Sequence, residues 1–139
     1  MASPRAKTKT RKATASVSRA KHEFQIKRVY DEPSPGDGLR FLVDRLWPRG
    51  VKKSALASVV WLKDVAPSPP LRQWFGHEPA KWTEFKKRYR LELKKNFAAC
   101  QPLLEAIQKD NVTLLFAARD PAINHAVVLK EFLEKAARG

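Results

Sequence analysis

One stretch of this chain decides the fold class: Val112-Thr-Leu-Leu-Phe-Ala-Ala-Arg-Asp-Pro-Ala-Ile-Asn-His125. Its continuous apolar run, 112–117, is typical of a central parallel strand that is covered on both faces. A helix is predicted directly afterwards, with Asp120 as its cap and Pro121 in its first position. In open α/β sheets ligands bind where such strands end, and the free N–H groups of a helix start favour anions. The stretch therefore predicts a parallel sheet and the position of a ligand-binding site at its edge.

The patterns on either side supply the other elements of an α/β fold. Strands are predicted at 24–30, 40–44 and 59–65, and helices at 52–58, 70–76, 79–96, 102–109 and 121–137. In the longest helix Trp82, Phe85, Tyr89 and Leu93 recur at helical spacing. Because strands alternate with helices, we expect a small three-layer α/β/α fold with a mainly parallel sheet of about four strands and flanking helices.

Length and composition narrow the class of protein. The chain has 139 residues and is 43% apolar, which suits one domain with a single core. No apolar run approaches the roughly 20 residues of a membrane span, and no signal-peptide pattern is present. Cys100 is the only cysteine and fits a reducing compartment. We therefore expect a cytoplasmic protein without a membrane partner.

The positive charge is concentrated at the N-terminus. The formal net charge is +14, and residues 1–22 carry seven basic residues and no acidic one. We expect a disordered basic tail at 1–22 and a single domain at 23–139. Three interpretations of the tail stay open: nonspecific, salt-sensitive binding to nucleic acid, a mitochondrial-type transit peptide, and a solubilising extension.

The candidate site begins after the 112–117 strand. Arg119 can hold a phosphate or carboxylate through two hydrogen bonds, Asp120 beside it is a further candidate ligand-binding residue, and Asn124 can orient the ligand. His125, predicted one turn into the helix on the apolar face, would serve as a neutral donor or acceptor. The alternatives are that His125 is a hydrogen-bonded core residue and that Arg119 forms an ion pair with an aspartate, Asp44 or Asp64.

The segment Asp44-Arg-Leu-Trp-Pro-Arg49 ends the second predicted strand at the same edge of the sheet. Asp44 beside Arg45 and Arg49 can bind an anion that also carries a hydroxyl or an amine, and Trp47 can stack on a ring. Trp47 can equally be a core lid that Pro48 holds in place. Lys63 and Asp64 end the third predicted strand and join the candidate ligand-binding residues. His77 is expected to pack at a helix corner, with ligand contact as the alternative.

Three functional hypotheses follow. The first is a site for a phosphate, carboxylate or nucleotide-like ligand at the carboxyl edge of the sheet, where Asp44 or His125 would transfer protons if the protein is an enzyme. The second is a nucleic-acid-associated protein, and the third is a structural or partner-binding domain. The chain has no dinucleotide fingerprint, phosphate-binding loop or nucleophile elbow. One cysteine and three histidines do not support a metal site, and no cofactor is expected.

Several segments resemble one known family. They are Val29-Tyr-Asp31, Asp37-Gly-Leu-Arg-Phe-Leu-Val-Asp-Arg-Leu-Trp-Pro-Arg-Gly50, Trp61-Leu-Lys-Asp64, Ala66-Pro-Ser68, Leu71-Arg-Gln-Trp-Phe-Gly-His77, 82–93 and 113–133. Residues 24–137 resemble the YeaO-like branch of the domain-of-unknown-function 488 family, and the basic tail lies outside the resemblance. The resemblance implies a small bacterial α/β protein whose activity is unassigned.

Other branches of that family carry a Cys-His-Arg motif after the last core strand. The aligned residues here are Asn124, His125 and Ala126, so the resemblance does not extend to thiol chemistry. An Asp-x-Arg element of those branches appears here as Asp44-Arg45, with Arg49 beyond the proline. The resemblance therefore supports the carboxyl edge as the site without supplying a reaction.

Overall fold

The computed structural model describes residues 22–138, which form a four-stranded, all-parallel sheet in the order β1-β4-β2-β3. The strands are β1 (Phe24–Arg28), β2 (Leu39–Leu42), β3 (Val60–Trp61) and β4 (Val112–Phe116). The α-helices are α1 (Pro69–Phe75), α2 (Trp82–Lys95), α3 (Gln101–Ala106) and α4 (His125–Arg138). The α/β class and the parallel sheet of four strands with flanking helices are thus confirmed.

β4 lies between β1 and β2, as its continuous apolar run predicts. Val112 is in register with Phe24 on one side and with Leu39 on the other. All five residues of β4 are buried. A strand that is paired on both edges and covered on both faces leaves no solvent-facing position, which explains why its sequence does not alternate.

Two hydrophobic clusters cover the two faces of the sheet unequally. All four α-helices contribute buried side chains to the larger cluster, among them Phe85, Leu103 and Leu129. The smaller cluster on the other face contains Leu42 and Leu115 of the sheet. Its cover is a 3-10 helix, Lys53–Leu56, and the neighbouring loops. The layer on this face is therefore thin and contributes no α-helix from the described residues.

The third strand is much shorter than predicted. The pattern predicts a strand over 59–65, but only Val60–Trp61 pair with β2, and a 3-10 helix, Lys63–Val65, follows. Leu62 lies between them with φ −113° and ψ 72°, and its N–H still donates to the carbonyl of Leu42 at 2.9 Å. The apolar run therefore does not continue as a strand, because the backbone turns after one further hydrogen bond.

The last helix begins later than predicted, and its cap is a different residue. Residues 121–124 are bends, and α4 starts at His125. Asn124 Oδ1 accepts the Val127 N–H at 3.2 Å, which is the bond of a helix N-cap. Asp120 Oδ1 instead accepts the N–H groups of Ala122 at 2.8 Å and Ile123 at 3.1 Å. The prediction that Asp120 caps the helix is wrong, because its carboxylate closes a turn that precedes the cap.

A partly buried ion pair joins β1 to the loop between β1 and β2. The Lys27 ammonium lies 2.9 Å from the Asp37 carboxylate, which also accepts the Ser34 N–H. Burial by itself would raise the pKa of Asp37, but the bonds from Ser34 and Lys27 outweigh it and the pKa is lowered. The carboxylate therefore stabilises this loop in its charged form.

The predictions for the basic tail lie outside the described residues, apart from His22. Within residues 22–138 no helix is both long and apolar enough to cross a membrane.

Candidate functional site

A cavity of about 440 Å³ opens at the carboxyl edge of the sheet. The loops that follow β2 and β4 form two of its walls, and α1 with the residues after it forms another. We call it the rim cavity. It is lined by Tyr30, Asp44, Arg45, Leu46, Trp47, Pro48, Arg49, Ala66, Pro67, Arg72, Gln73, Phe75, His77, Phe85, Ala117, Ala118, Asn124 and His125.

The structure brings six of the ten predicted site residues together in this cavity. They are Asp44, Arg45, Trp47, Arg49, Asn124 and His125. These residues come together because β2 and β4 are parallel neighbours, so the carboxyl ends of both strands lie at the same edge of the sheet.

His125 lies at the floor of the rim cavity and is bonded to the backbone. Its Nε2 is 2.9 Å from the carbonyl oxygen of Val43. A carbonyl oxygen only accepts, so Nε2 carries a proton and donates it to this bond. The ring also meets Tyr89 edge-on, with centroids 6.2 Å apart. His125 is the first residue of α4 and not one turn into it, as predicted, and its hydrogen bond matches the core alternative.

Asp44 joins the ends of the two central strands. Its Oδ2 accepts the Ala117 N–H at 2.9 Å, and its backbone carbonyl accepts the Trp61 indole N–H at 2.7 Å. Oδ1 lies 3.2 Å from His125 Nε2, yet that N–H is directed at Val43. Oδ1 is thus buried without a hydrogen-bond partner among the described residues. Oδ1 has essentially no exposed surface, so a ligand could reach it only after the surrounding side chains move.

The arginines of the rim cavity differ in how firmly they are held. Arg45 donates to the carbonyl oxygens of Pro67 at 3.2 Å and Ala66 at 3.1 Å, and Asp64 lies 4.0 Å away. Arg49 and Arg72 are exposed, and within residues 22–138 their side chains form no hydrogen bond or ion pair. Arg45 therefore shapes the wall, while Arg49 and Arg72 are free to bind an anion.

Trp47 is held as a structural residue although it lines the rim cavity. Its indole N–H donates to the carbonyl of Val51 at 2.7 Å. Its ring packs edge-on against Trp61, with centroids 5.3 Å apart, and joins the smaller cluster. This arrangement matches the lid alternative for Trp47.

Asn124 has no free polar group for a ligand. Its side-chain N–H donates to the carbonyl of Asp120 at 2.8 Å, its oxygen caps α4, and the residue is only 2% exposed. The residue fixes the loop that carries His125.

Four predicted site residues lie outside the cavity lining. Arg119 is exposed on the loop after β4 and forms no ion pair among the described residues, so the alternative of an ion pair with Asp44 or Asp64 is wrong. The Lys63 ammonium lies 4.9 Å from the Trp61 ring centroid, and Asp64 faces Arg45. Asp120 closes its turn.

Sequence reasoning missed Arg72 and Gln73, and it expected His77 mainly to pack at a helix corner. All three line the rim cavity from α1 and the residues just after it. The prolines at 69 and 70 predict a helix start but not where that helix lies on the sheet. No sequence signal could have placed them, because their position depends on how α1 packs on α2.

The chemistry available in the rim cavity is limited. Its lining contains no cysteine, serine, threonine or lysine. Cys100 is buried elsewhere, and burial raises the pKa of its thiol to about 11, as expected for an inert thiol. Within residues 22–138 no three His, Cys, Asp or Glu side chains cluster in a way that could hold a metal ion. The residues present favour binding over covalent catalysis.

Known proteins provide the family context. A family model described as "Inactive DUF488-N3 subclade" matches residues 23–138. The uncharacterized protein YeaO of Escherichia coli (strain K12) is 42% identical over 110 residues, covering 79% of this chain and 96% of that protein. The uncharacterized protein Rv3073c of Mycobacterium tuberculosis (strain H37Rv) is 42% identical over 109 residues, covering 78% and 92%. No solved structure matches the chain. The chain therefore belongs to the domain-of-unknown-function 488 family, with YeaO-type proteins among its relatives.

Proposed function

We propose that this protein reversibly binds a small organic anion in the rim cavity and does not transform it covalently. One observation carries the proposal: Arg49 and Arg72, whose side chains are unpaired among the described residues, line the same cavity as Arg45, and Asp44 is the single carboxylate in that lining. Guanidinium groups bind carboxylate and phosphate through paired hydrogen bonds. The excess of positive charge favours a ligand with at least one negative group.

The walls of the rim cavity favour a ligand that also has an apolar or planar part. Phe75 and Phe85 are buried and stacked with centroids 4.3 Å apart, and Pro48 and Pro67 are buried as well. The volume of about 440 Å³ lies in the range of small-molecule sites, roughly 300–1,000 Å³. A phosphate or carboxylate on a ring would place its charge at the arginines and its ring against these walls.

Two observations support binding without catalysis. His125 Nε2 donates to the Val43 carbonyl and Asp44 Oδ2 accepts the Ala117 N–H, so both side chains hold the strand ends together. The matching family model carries the word "inactive" in its description.

The test compares an arginine of the rim cavity with one outside it. Purified protein is titrated with inorganic phosphate, phenyl phosphate and benzoate, and dissociation constants are measured by NMR chemical-shift changes. The variants are Arg49→Ala and, as the matched control, Arg119→Ala, because Arg119 is exposed on the same edge but does not line the cavity.

We expect phenyl phosphate to bind and Arg49→Ala to weaken it by roughly tenfold, the effect of one lost charged hydrogen-bonding group. Arg119→Ala should bind like wild type. If none of the three anions binds, or if Arg119→Ala weakens binding as much as Arg49→Ala, the rim cavity is not an anion site.

A further inference from the structure

His77 has a backbone conformation that side chains rarely adopt. Its φ is 59°, and it is the only non-glycine residue with positive φ in the described part of the chain. Histidine is tolerated there better than branched residues, but the conformation still costs free energy that glycine would not pay. A residue held in this way is a candidate for a role other than stability.

The end of α1 does not require a second left-handed residue. Gly76, with φ 53° and ψ 27°, already supplies the left-handed position, and its N–H donates to the carbonyl of Arg72 at 3.0 Å. The chain turns again when the Glu78 N–H donates to the Phe75 carbonyl at 3.0 Å. Glycine at 77 would allow the same bonds, so the helix end does not explain the imidazole.

His77 is one of the exposed residues that line the rim cavity. Arg72, which lines it as well, is also exposed. Its ring lies 6.0 Å from that of Phe75, tilted by 47°. Within residues 22–138 neither ring nitrogen has a hydrogen-bond partner. A side chain with two free polar atoms at the mouth of the cavity is available to a ligand.

We infer that His77 is a ligand-binding residue of the rim cavity, which donates a hydrogen bond to the same anionic group that Arg72 binds. The inference rests on the proposed function and adds to it the recognition of the anion from the α1 side. The strained backbone at 77 holds the imidazole at the mouth before the ligand arrives. The ligand class it fits is an aromatic phosphate or carboxylate, with its ring between the apolar walls.

The experiment separates strain from recognition by replacing His77 in two ways. His77→Gly removes both the strain and the imidazole. His77→Asn keeps a residue type that tolerates positive φ, but its side chain is shorter than that of histidine and does not extend as far into the rim cavity. For each variant, the thermal midpoint without ligand and the dissociation constant for phenyl phosphate are measured, and the His77 ring signals of the wild type are followed during the titration.

We expect His77→Gly to unfold at or above the wild-type midpoint, while phenyl phosphate binds it at least fivefold more weakly. His77→Asn should keep the wild-type midpoint and lose affinity similarly. The wild-type His77 ring signals should shift with the same dissociation constant as the rest of the cavity.

Three outcomes overturn the inference. Unchanged affinity in His77→Gly, with Arg49→Ala still weakened, removes His77 from the site and leaves the proposed function intact. A midpoint that falls by more than about 3 °C in His77→Gly shows that the imidazole serves packing on Phe75. Failure of the wild type to bind phenyl phosphate overturns this inference, and failure to bind inorganic phosphate and benzoate as well overturns the proposed function.

Discussion

Replacing His125 with phenylalanine tests whether this residue belongs to the core or to the chemistry. His125→Phe keeps a ring that can pack against Tyr89, whose centroid lies 6.2 Å away, but it removes the Nε2–H. That N–H is the donor to the Val43 carbonyl at 2.9 Å. Val43 has no exposed surface, so water cannot replace the donor without a rearrangement.

The expected loss of stability follows from the orphaned carbonyl. Leaving a buried acceptor unsatisfied costs about 1–3 kcal/mol. The phenyl ring is somewhat larger than the imidazole, so the cavity term that accompanies a truncation to alanine is avoided and any misfit adds to the loss. We therefore expect His125→Phe to lower the free energy of unfolding by about 2 kcal/mol, which for a chain of this size lowers the thermal midpoint by roughly 5–10 °C.

The assay is urea denaturation followed by circular dichroism, with His125→Gln as the matched control. The glutamine amide can donate to Val43, so this variant should recover part of the lost stability. If His125→Phe unfolds within about 0.5 kcal/mol of the wild type, the bond to Val43 contributes little. The imidazole would then be available for proton transfer, which would contradict the proposal that the site binds its ligand without catalysis.

Three further predictions concern other parts of the chain. The bonds from Ser34 and Lys27 hold the pKa of Asp37 below its ordinary value. The charged carboxylate therefore stabilises the fold above the unfolded pKa of about 3.9, and this stabilisation is lost as pH falls through the folded pKa. In urea titrations between pH 6 and 3, the unfolding free energy of Asp37→Asn should depend less on pH than that of the wild type, and equal slopes would contradict this. Burial raises the pKa of Cys100 to about 11, so a thiol reagent at pH 8 should label the native protein on the order of 100-fold more slowly than the unfolded protein. We propose that residues 1–22 bind nucleic acid nonspecifically. Deleting them should weaken DNA binding in anisotropy assays and make the affinity less dependent on salt between 50 and 200 mM. Unchanged binding would place the contact in residues 23–139.

The central strand could be predicted because several constraints agree there. The run 112–117 is apolar, β-branched at its start and followed by turn residues, and β4 is buried along its whole length. The predicted strand at 59–65 also begins with apolar residues, but only two of its residues pair with β2. Local sequence cannot show how much of a neighbouring strand is available for pairing, and β2 ends at Leu42.

The candidate site was predictable to the extent that it follows from parallel topology. Asp44 and His125 were expected at one edge, and they lie 3.2 Å apart there. Arg119 was expected in the site because it follows β4 directly, yet it is exposed outside the cavity lining. A residue's distance from a strand end in sequence does not fix the side on which the loop carries its side chain. Arg72 was missed for the opposite reason, because tertiary packing alone brings α1 to this edge.

The polar floor of the rim cavity argues for recognition at its mouth. The Asn124 side chain caps α4 and donates to the Asp120 carbonyl. The neighbouring His125 donates to Val43, and Asp44 accepts from Ala117. Asn124, His125 and Asp44 thus stabilise the junction of β2, β4 and α4, while the side chains of Arg49, Arg72 and His77 form no hydrogen bond among the described residues. We propose that this site captures an anion at its mouth, where the unpaired side chains lie, so the arginine and histidine variants at the mouth test the function more directly than variants at the floor.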